Sequence, residues 1–266
     1  MDEKDKFLDL GKFELLEKIG KGAFSNVFRV KETSSGEICA AKVLNSKYIE
    51  KDENPEEMLL LLREVNLMSS LNHPSILEFV GFSPTNFKQE PNPTIITKLA
   101  KNGSLRDIIN LEMSGLSPKG WDQTRKLINI YGIAAGLSYL HMNKIIHRDM
   151  KPENILMDDY LFPKIADFGL SKITTPISNS MNMESHVGMK GTPIYMAPEV
   201  FKEEPSTNLV DVYSFSLIAY QIMLNKIQFK GINIINHIDN IIKNKRPEFD
   251  DKTPEAYIDL IEKCWA

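Results

Sequence analysis

The fold is decided by the stretch Ile145-Ile146-His147-Arg148-Asp149-Met150-Lys151-Pro152-Glu153-Asn154-Ile155-Leu156, followed by the shorter stretch Lys164-Ile165-Ala166-Asp167-Phe168-Gly169. Each stretch joins apolar, largely β-branched residues to a polar run, a pattern that predicts loops attached to short buried strands. Loops attached in this way often carry a protein's chemistry. The two polar runs are therefore the candidate functional site.

The polar residues of these runs suit a metal-assisted reaction. Asp149 and Asp167 supply carboxylates, Asn154 supplies an amide oxygen, and Lys151 supplies a compact cation. Such oxygens favour a hard divalent cation, most commonly Mg²⁺ with phosphate, and one carboxylate remains to orient a hydroxyl nucleophile. Either His-Arg-Asp or Asp-Phe-Gly alone could be a turn. Both in this order, with Asn154 five residues after Asp149, form a specific pattern.

The bulk composition is that of an ordinary globular protein. The chain has 266 residues, of which 42% are hydrophobic and 26% charged, enough for one large domain or two small ones. Its formal net charge of −4 argues against nucleic acid as a partner, because nucleic-acid-binding domains are usually basic.

Nothing in the sequence points to export or to a membrane partner. The first six residues are charged and of mixed sign, unlike a secretory signal. The longest apolar stretch, Leu209–Leu224, is too short to span a bilayer and contains Asp211, so we expect a buried helix there. Cys39 and Cys264 lie far apart and form no spacing pattern, which indicates buried thiols in a reducing, cytoplasmic location.

Local patterns predict a β-rich first part of the chain. A helix is predicted that begins at Pro55, with Asn54 as its cap, Glu57 placed for a capping box and its body over 58–71. Runs rich in apolar and β-branched residues predict strands at 13–16, 26–30, Ile38–Leu44, 75–81 and 94–99.

Helices dominate after 100–103, so the boundary between two parts of the chain is predicted there. Asp122 is the predicted cap of an amphipathic helix over 123–141 that leads to the first polar run. Further helices are predicted at 211–224, 232–243 and 254–265.

In the two polar runs the chain resembles the eukaryotic protein kinases, whose catalytic and metal-binding loops have nearly this sequence. The resemblance covers nearly the whole chain and implies an α+β, bilobal protein-kinase fold. A small β-rich N-lobe with one main helix and a larger, mostly helical C-lobe would place the phosphate-binding and catalytic loops on opposite sides of a cleft. The expected kinase domain is 13–266, divided into N-lobe, hinge and C-lobe at about 13–97, 98–102 and 103–266.

The run Gly20-Lys21-Gly22-Ala23-Phe24-Ser25 lies between the first two predicted strands. On its own, a Gly-x-Gly between strands is usually a turn. With the resemblance it matches the loop that covers the phosphates of ATP, where missing side chains let backbone N–H groups approach phosphate oxygens. Ser25 stands where the family often has a third glycine, which is tolerable provided that its φ is negative.

Lys42 lies within an apolar strand, where a lysine is costly unless it has a partner or faces outward. The resemblance supplies a partner, Glu64, which by propensity alone would be a solvated surface charge. It implies that Lys42 binds the α and β phosphates of ATP while Glu64 positions Lys42.

The resemblance also implies an adenine-binding hinge, with backbone groups of Lys98 and Ala100 at the adenine edge. Thr97 would guard the pocket behind the adenine, although a threonine is equally typical of an ordinary strand. The residues expected to bind ATP are Ile19, Gly20, Lys21, Gly22, Ala23, Phe24, Ser25, Val27, Ala40, Lys42, Thr97, Lys98, Ala100 and Leu156.

In the catalytic loop, the resemblance implies that Asp149 accepts or orients the proton of the substrate hydroxyl and that Lys151 stabilises the phosphoryl group in flight. Asn154 and Asp167 are expected to bind Mg²⁺. Positioning and charge would supply most of the rate acceleration. These roles predict an ATP-dependent kinase that acts on protein substrates.

Four segments bear on the acceptor residue. Lys151-Pro152-Glu153 and the segment 191–199 resemble serine/threonine kinases, with Thr192 placed to touch Asp149 and Lys151. The run 211–216 and the pair Cys264-Trp265 resemble the tyrosine-kinase-like group of serine/threonine kinases. By analogy with the family, Glu153 is expected to favour a basic residue upstream of the target hydroxyl.

Two neighbouring motifs have less chemical interpretations. His147 beside Asp149 invites assignment as a general base, but in the family this histidine is a packing residue, and we prefer that interpretation. Asp158 and Asp159 look like paired carboxylates, but their place between two predicted strands indicates a solvated turn.

Regulation is expected in the segment between Gly169 and Gly191. A phosphate there could pair with Arg148, and it would be added by an upstream kinase or by autophosphorylation in trans. The acceptors in this segment are Thr174, Thr175, Ser178, Ser180 and Ser185.

The chain stops at Ala266, where the family continues with a helix whose arginine pairs with the carboxylate corresponding to Glu199. Either the sequence is a fragment of a longer protein or its C-lobe is weakened, and we favour the fragment. Two other functions stay open. One is a pseudokinase scaffold that binds nucleotide without turnover; the other is a small-molecule kinase, which the peptide-docking likeness of 191–199 disfavours.

Overall fold

The computed structural model describes residues 6–22, 25–45, 55–173, 191–226, 233–251 and 253–265, with side chains of the first helix described from Leu61 onward. The chain divides into two compact units after Lys101. The first unit is built on a β-sheet and one main helix, and the second is mainly helical. The predicted change from a β-rich to a helical part is therefore confirmed.

The first unit contains a five-stranded antiparallel sheet with the strand order β1-β2-β3-β5-β4. One helix, α1 (Pro55–Ser70), follows the third strand; Asn54 and the side chain of Glu57, predicted to cap it, lie outside the described residues. The strands are β1 (Phe13–Lys21), β2 (Ser25–Glu32), β3 (Ile38–Leu44), β4 (Phe79–Ser83) and β5 (Thr94–Lys98).

The strand predicted over 75–81 is wrong at both ends, because β4 begins at Phe79 and continues to Ser83. Pro74 and Ser75 form a turn, in which the N–H of Ile76 donates to the carbonyl of His73 at 2.9 Å. The turn uses backbone groups that a strand would need for its ladder, so pairing starts later.

One face of the sheet forms the core of the first unit. Along β3 the residues alternate between buried Cys39 and Ala41 and partly exposed Ala40 and Lys42, as expected for a strand with one buried face. The core cluster on the buried side consists of Leu10, Phe13, Val30, Cys39, Ala41 and Ile96. The other face of β3 therefore presents Ala40 and Lys42.

Residues 6–12, which we call the N-terminal strap, cross the end strand of this sheet. The N–H of Leu8 donates to the carbonyl of Phe82 at 2.7 Å, and the rings of Phe7 and Phe82 lie 5.9 Å apart. The Leu8 side chain covers Gly81 so closely that a Cβ added there would overlap it. Glycine at 81 thus leaves the space that the Leu8 side chain fills, a contact that was not predicted from the sequence.

The second unit contains two short antiparallel strand pairs, β6 with β9 and β7 with β8. Its strands are β6 (Ile145–Ile146), β7 (Ile155–Met157), β8 (Pro163–Ile165) and β9 (Lys172–Ile173). Its helices are α2 (Leu105–Met113), α3 (Gln123–Met142), α4 (Pro198–Phe201), α5 (Leu209–Leu224), α6 (Ile234–Ile242) and α7 (Glu255–Cys264).

The helices predicted from Asp122 onward are observed close to their expected bounds. The carboxylate of Asp122 accepts the N–H of Arg125 at 2.8 Å and caps α3, as predicted. Helix α5 is buried along most of its length, including Asp211, which confirms the interpretation of this apolar stretch. No helix among the described residues is long and apolar enough to cross a membrane.

Helix α2 was not predicted, although a capping box starts it. Ser104 N–H donates to Asp107 Oδ2 at 2.8 Å, and Asp107 N–H donates to Ser104 Oγ at 3.3 Å. Near its other end, Glu112 accepts from Lys126 Nζ at 2.5 Å and from Trp121 Nε1 at 2.8 Å. These contacts fix α2 against α3 and so fix the side chains that α2 carries.

Candidate active site

The first polar loop, residues 147–154, joins β6 to β7, and the second begins where β8 ends. Strands β7 and β8 form a hairpin in which Ile155 pairs with Ile165, both fully buried. At its open end the N–H of Ala166 donates to the carbonyl of Asn154 at 2.8 Å. The structure therefore brings the two sequence motifs together.

Asp149 has hydrogen-bond donors on both of its oxygens. Oδ2 accepts from Lys151 Nζ at 2.6 Å and from Asn154 Nδ2 at 2.9 Å. Oδ1 accepts from the N–H of Thr192 at 3.1 Å and from its hydroxyl at 3.2 Å, while Lys151 Nζ also donates to Thr192 Oγ1 at 2.9 Å. Lys151, Asn154 and Thr192 therefore fix the orientation of the Asp149 carboxylate, whose side chain is only 10% exposed.

The predicted metal ligands lie on the two joined loops. Asn154 is buried, and its Nδ2 donates to both the carbonyl and Oδ2 of Asp149, which leaves Oδ1 as its remaining side-chain polar atom. Asp167 has a left-handed backbone, with φ of 63°, and is exposed between buried Ala166 and Phe168. An amide oxygen and a carboxylate are ligands of the kind that Mg²⁺ takes.

A buried carboxylate on α5 fixes the backbone around Asp149. Arg148 has a left-handed φ of 69°, a conformation that costs about 1–3 kcal/mol and persists only where its surroundings impose it. Asp211 imposes it, since its two oxygens accept the N–H groups of Arg148 and His147, each at 2.8 Å. His141 Nε2 lies 3.0 Å from Asp211 Oδ2.

His147 packs in the core, as expected. It is fully buried, its ring lies 5.3 Å from that of Phe168, and its Nε2 lies 3.0 Å from the carbonyl oxygen of Ala166. Asp158 does lie in a turn, but it is more than a solvated charge, because its Oδ1 accepts two backbone N–H groups of that turn at 2.9 Å.

In the first unit, Lys42 and Glu64 form the expected pair. Lys42 Nζ lies 3.4 Å from Glu64 Oε1, and the two side chains are 31% and 11% exposed. The distance is long for a charge-assisted hydrogen bond. Lys42 therefore reaches Glu64 from a side chain that is partly exposed.

The register of the sheet places several predicted nucleotide-binding residues side by side. Val27 lies opposite both Gly20 and Lys42, and Ala40 lies opposite Thr97. Directly opposed residues of neighbouring strands share a face, as do residues two apart in one strand. Val27, Ala40, Lys42 and Thr97 are therefore on one face, opposite the core.

The predicted phosphate-covering loop begins inside β1, which runs to Lys21. Gly22 N–H donates to the carbonyl of Ser25 at 2.8 Å, and Ser25 is already part of β2 with no positive φ. The condition for tolerating serine in place of glycine is thus met. Ala23 and Phe24 lie outside the described residues.

The other predicted nucleotide contacts are more scattered. Ile19 is an exposed residue of β1, and Ala100 lies in a partly exposed segment after β5. The N–H of Lys98 donates to the carbonyl of Glu78 at 3.0 Å, which commits that N–H within the first unit. Leu156 belongs to the second unit, where it is partly exposed on β7.

The segment 191–199 lies against the catalytic loop. Gly191 has φ of 117°, and a Cβ added to it would come within 3.3 Å of the carbonyl oxygen of Arg148. Tyr195 is buried, which raises its pKa to about 12, and its hydroxyl donates to Gln221 Oε1 at 3.1 Å.

Outside the described residues lie the predicted phosphate acceptors Thr174, Thr175, Ser178, Ser180 and Ser185.

One residue near the site was missed by the sequence analysis. Arg106, in the first turn of α2, donates from Nε to Glu153 Oε1 at 2.9 Å and contacts the Tyr195 hydroxyl through Nη2. The pattern Ser104-x-x-Asp107 could have predicted the helix. No local pattern could have predicted its partners, which lie 47 and 89 positions away.

Comparisons with known proteins point to one family. The sequence model described as protein kinase domain matches residues 13–266. Serine/threonine-protein kinase CTR1 of Arabidopsis thaliana is 33% identical over 268 residues, which covers 100% of this chain and 30% of that protein. Serine/threonine-protein kinase STY17 of the same plant is 27% identical over 260 residues, which covers 97% and 42%. Dual specificity protein kinase pyk3 of Dictyostelium discoideum is 32% identical over 253 residues, which covers 95% and 17%.

The chain belongs to the protein kinase domain family. Its α+β architecture, with a β-rich unit and a helical unit, is the protein-kinase fold that the sequence predicted. Family membership implies ATP as the phosphoryl donor and a divalent metal ion. The chain spans less than half the length of the curated relatives it matches.

Proposed function

We propose that this domain transfers the γ-phosphate of ATP to serine or threonine hydroxyls of protein substrates, as a member of the tyrosine-kinase-like group. The observation that carries the proposal is the orientation of Asp149 by Lys151, Asn154 and Thr192. A carboxylate fixed in this way can position a hydroxyl group and take its proton as the oxygen attacks phosphorus.

In the second unit we assign the acceptor chemistry to Asp149 and Lys151. Asp149 would orient the substrate hydroxyl, and Lys151, whose Nζ is 2.6 Å from Asp149, would place positive charge beside the transferred phosphoryl group. Because the transition state of phosphoryl transfer is loose, positioning and charge stabilisation are the main tasks of the protein. Thr192 contacts both residues and so fixes their spacing.

We assign Mg²⁺ binding to Asn154 and Asp167. Two protein ligands suit Mg²⁺, which usually keeps several waters and binds through one or two carboxylates together with substrate phosphates. Asn154 fits this role because its amide nitrogen is committed to Asp149 and its Oδ1 remains. When bound, the ion would neutralise charge on the phosphate oxygens.

In the first unit we assign ATP binding to the sheet face that carries Val27, Ala40, Lys42 and Thr97. Lys42 would contact the α and β phosphates, with Glu64 limiting its motion. The N–H of Lys98 is used within the unit, so its carbonyl would be the group that meets adenine. The loop of residues 20–25 would cover the phosphates, although the N–H of Gly22 is used within the unit.

The names of the relatives support a serine/threonine acceptor, and the dual specificity in the name of pyk3 makes tyrosine labelling a second quantity to measure. We propose 13–266 as the kinase domain, with lobes at about 13–97 and 103–266. We also propose that it acts in the cytoplasm. The segment 170–190 would control it, after phosphorylation by an upstream kinase or in trans.

The test is transfer of labelled γ-phosphate from ATP to a panel of acidic and basic proteins, followed by phosphoamino acid analysis. We expect label on serine or threonine that a chelator abolishes and added Mg²⁺ restores. Asp149→Asn should lower the rate about 10²–10⁴-fold, since it removes the general base. The matched control Asp159→Asn makes the same change in the exposed turn after β7 and should leave the rate unchanged.

Two results would overturn the proposal. Label that appears only on a metabolite would indicate a small-molecule kinase. Nucleotide binding without any transfer, in a chain phosphorylated beforehand by an added kinase, would indicate a scaffold.

A further inference from the structure

Arg106 links three parts of the second unit. Its Nε donates to Glu153 on the catalytic loop at 2.9 Å, and its Nη2 contacts the hydroxyl of Tyr195 in the segment 191–199. The Arg106 side chain is only 18% exposed, so the guanidinium group lies largely within the protein. A cation is therefore fixed beside the catalytic loop on the side where the segment 191–199 lies.

Glu153 would otherwise be a natural partner for a basic substrate. It follows Lys151 by two residues, and its side chain is 46% exposed, so it is accessible to an incoming peptide. From the resemblance to the family, Glu153 was expected to favour a basic residue upstream of the target hydroxyl. In the structure, however, Oε1 of Glu153 already accepts from Arg106, and the pair has no net charge.

Several constraints hold Arg106 in this position. A guanidinium group does not lose its proton in proteins. The Tyr195 hydroxyl remains neutral, since burial raises its pKa to about 12, and it donates to Gln221 while accepting from Arg106. Moving Arg106 away would leave this buried hydroxyl without one of its partners, which is costly. Helix α2 is itself fixed by its capping box.

We infer that Arg106 is a specificity-determining residue: by occupying Glu153, it makes the peptide position that meets Glu153 select against arginine and lysine. An incoming cation would meet the like charge of Arg106 and would have to displace it from Glu153. Uncharged or acidic side chains avoid both costs. This inference rests on the proposed function and names the substrate class of the same site.

The test compares wild type with Arg106→Gln on a peptide library that varies one position at a time around a serine acceptor. Wild type should disfavour arginine and lysine at one position. Arg106→Gln should raise kcat/KM for peptides with arginine there by about 3- to 10-fold, between the values typical of exposed ion pairs and of charged hydrogen bonds. The gain should appear in KM, because a binding contact is exposed and the reacting groups are unchanged.

Two further variants make the result specific. Adding Glu153→Gln to Arg106→Gln should abolish the gain. Lys226→Gln removes a positive charge from an exposed pair with Asp250, where the N···O distance is 3.2 Å, and should leave the library profile unchanged. An unchanged profile in Arg106→Gln, or a basic preference in wild type that Glu153→Gln removes, would contradict the inference.

Glu153→Gln alone covers the case in which Arg106→Gln does not fold. With Glu153 neutral, the charge of Arg106 is unopposed, so peptides with an acidic residue at this position should gain about 3-fold and basic ones should lose further. The opposite shift would overturn the inference.

A binding assay separates this inference from the proposed function. Peptides with alanine in place of the acceptor serine, and with arginine or glutamine at the selected position, are titrated against both proteins. If wild type transfers no phosphate but Arg106→Gln still binds the arginine peptide more tightly, the kinase proposal fails and the inference stands. If transfer occurs and neither profile nor binding changes, only the inference fails; if neither protein binds peptide or transfers phosphate, both fail.

Discussion

Asp149 and Asp211 are two aspartates of the same unit, and the structure uses them differently. Asp149 accepts mostly from side chains, and its own side chain is 10% exposed. Asp211 accepts from two backbone N–H groups, and its side chain is 1% exposed. Side-chain donors can be exchanged for groups of a substrate, whereas backbone donors fix the course of the chain. One carboxylate is therefore suited to chemistry and the other to shape.

The position of one aspartate also depends on the other. Asp211 fixes the left-handed backbone of Arg148, and Asp149 is the next residue. The position of Asp149 thus depends on Asp211, but the fold around Asp211 does not depend on the side chain of Asp149. A substitution at Asp211 should therefore lower both stability and activity, and a substitution at Asp149 should lower activity alone.

The largest effect is expected from Asp149→Asn, for which the loss of rate corresponds to about 3–5 kcal/mol of transition-state stabilisation. The melting temperature should change little, because asparagine fills the same space and its oxygen can still accept one hydrogen bond. Phosphate-transfer kinetics and thermal unfolding of the same preparation measure both. A large fall in melting temperature would show that Asp149, like Asp211, stabilises the fold.

Asp211→Asn should come next, with a loss of about 1.5–3 kcal/mol in the free energy of unfolding, since a buried charged acceptor is lost. The melting temperature should fall by about 3–12 °C, and the transfer rate should fall with it. Asp239→Asn is the control, because Asp239 pairs with Lys243 on an exposed face of α6. Its effect on stability should stay within about 0.5 kcal/mol. Equal losses in both variants would show that Asp211 does not fix the catalytic loop.

Thr192→Val should have a smaller effect, and that effect should be on activity and not on stability. The change removes the hydroxyl that contacts both Asp149 and Lys151 but keeps the backbone N–H to Asp149. We expect kcat to fall about 2- to 10-fold with little change in stability. Thr192→Ser keeps a hydroxyl and should retain most of the rate. A serine variant as slow as the valine variant would show that retaining the hydroxyl is not sufficient to maintain the rate.

The smallest effect concerns pH and His237 of α6. Burial lowers the pKa of His237 below its ordinary value of 6.5, against the opposing effect of a hydrogen bond with the backbone of Ile194. The folded protein therefore binds fewer protons than the unfolded chain in this range. Stability should be fully present above about pH 6.5 and should fall as the pH drops through the lower pKa of the folded state.

His237→Gln should reduce this acid-dependent loss, as measured by melting temperature at about pH 7.5 and about pH 5.5. Because His237 contacts the backbone of Ile194, the variant tests whether the segment 191–199 contributes to this acid-dependent loss of stability separately from Asp211. An unchanged pH dependence in the variant would assign the loss to other groups.

The positions of the two polar loops could be predicted from sequence because their signals are local, whereas the roles of their residues were expected from the resemblance. Polar residues at fixed spacing lie between β-branched runs, and the hairpin of β7 and β8 then brings Asn154 next to the loop of Asp167. The cap of α3 at Asp122 is local in the same sense. Charge type, spacing and strand propensity were sufficient for these parts.

The rest depends on contacts between distant residues. The pairing of Arg106 with Glu153 depends on how α2 packs beside the catalytic loop, which no periodicity encodes. Strand β4 begins later than predicted because the turn at Pro74 uses backbone groups that a strand would need for pairing. The pairing of Lys42 with Glu64 was expected only through the resemblance, since each residue alone is typical of a surface charge.

The N-terminal strap lies outside the part of the chain that the family model matches, which begins at residue 13. A chain shortened to that residue would lose the hydrogen bond from Leu8 to Phe82 and the side chain that covers Gly81. Strand β4 would then offer backbone donors and acceptors along an open edge, which favours strand addition by another molecule. The strap thus covers part of an edge strand that would otherwise be open to pairing with another molecule.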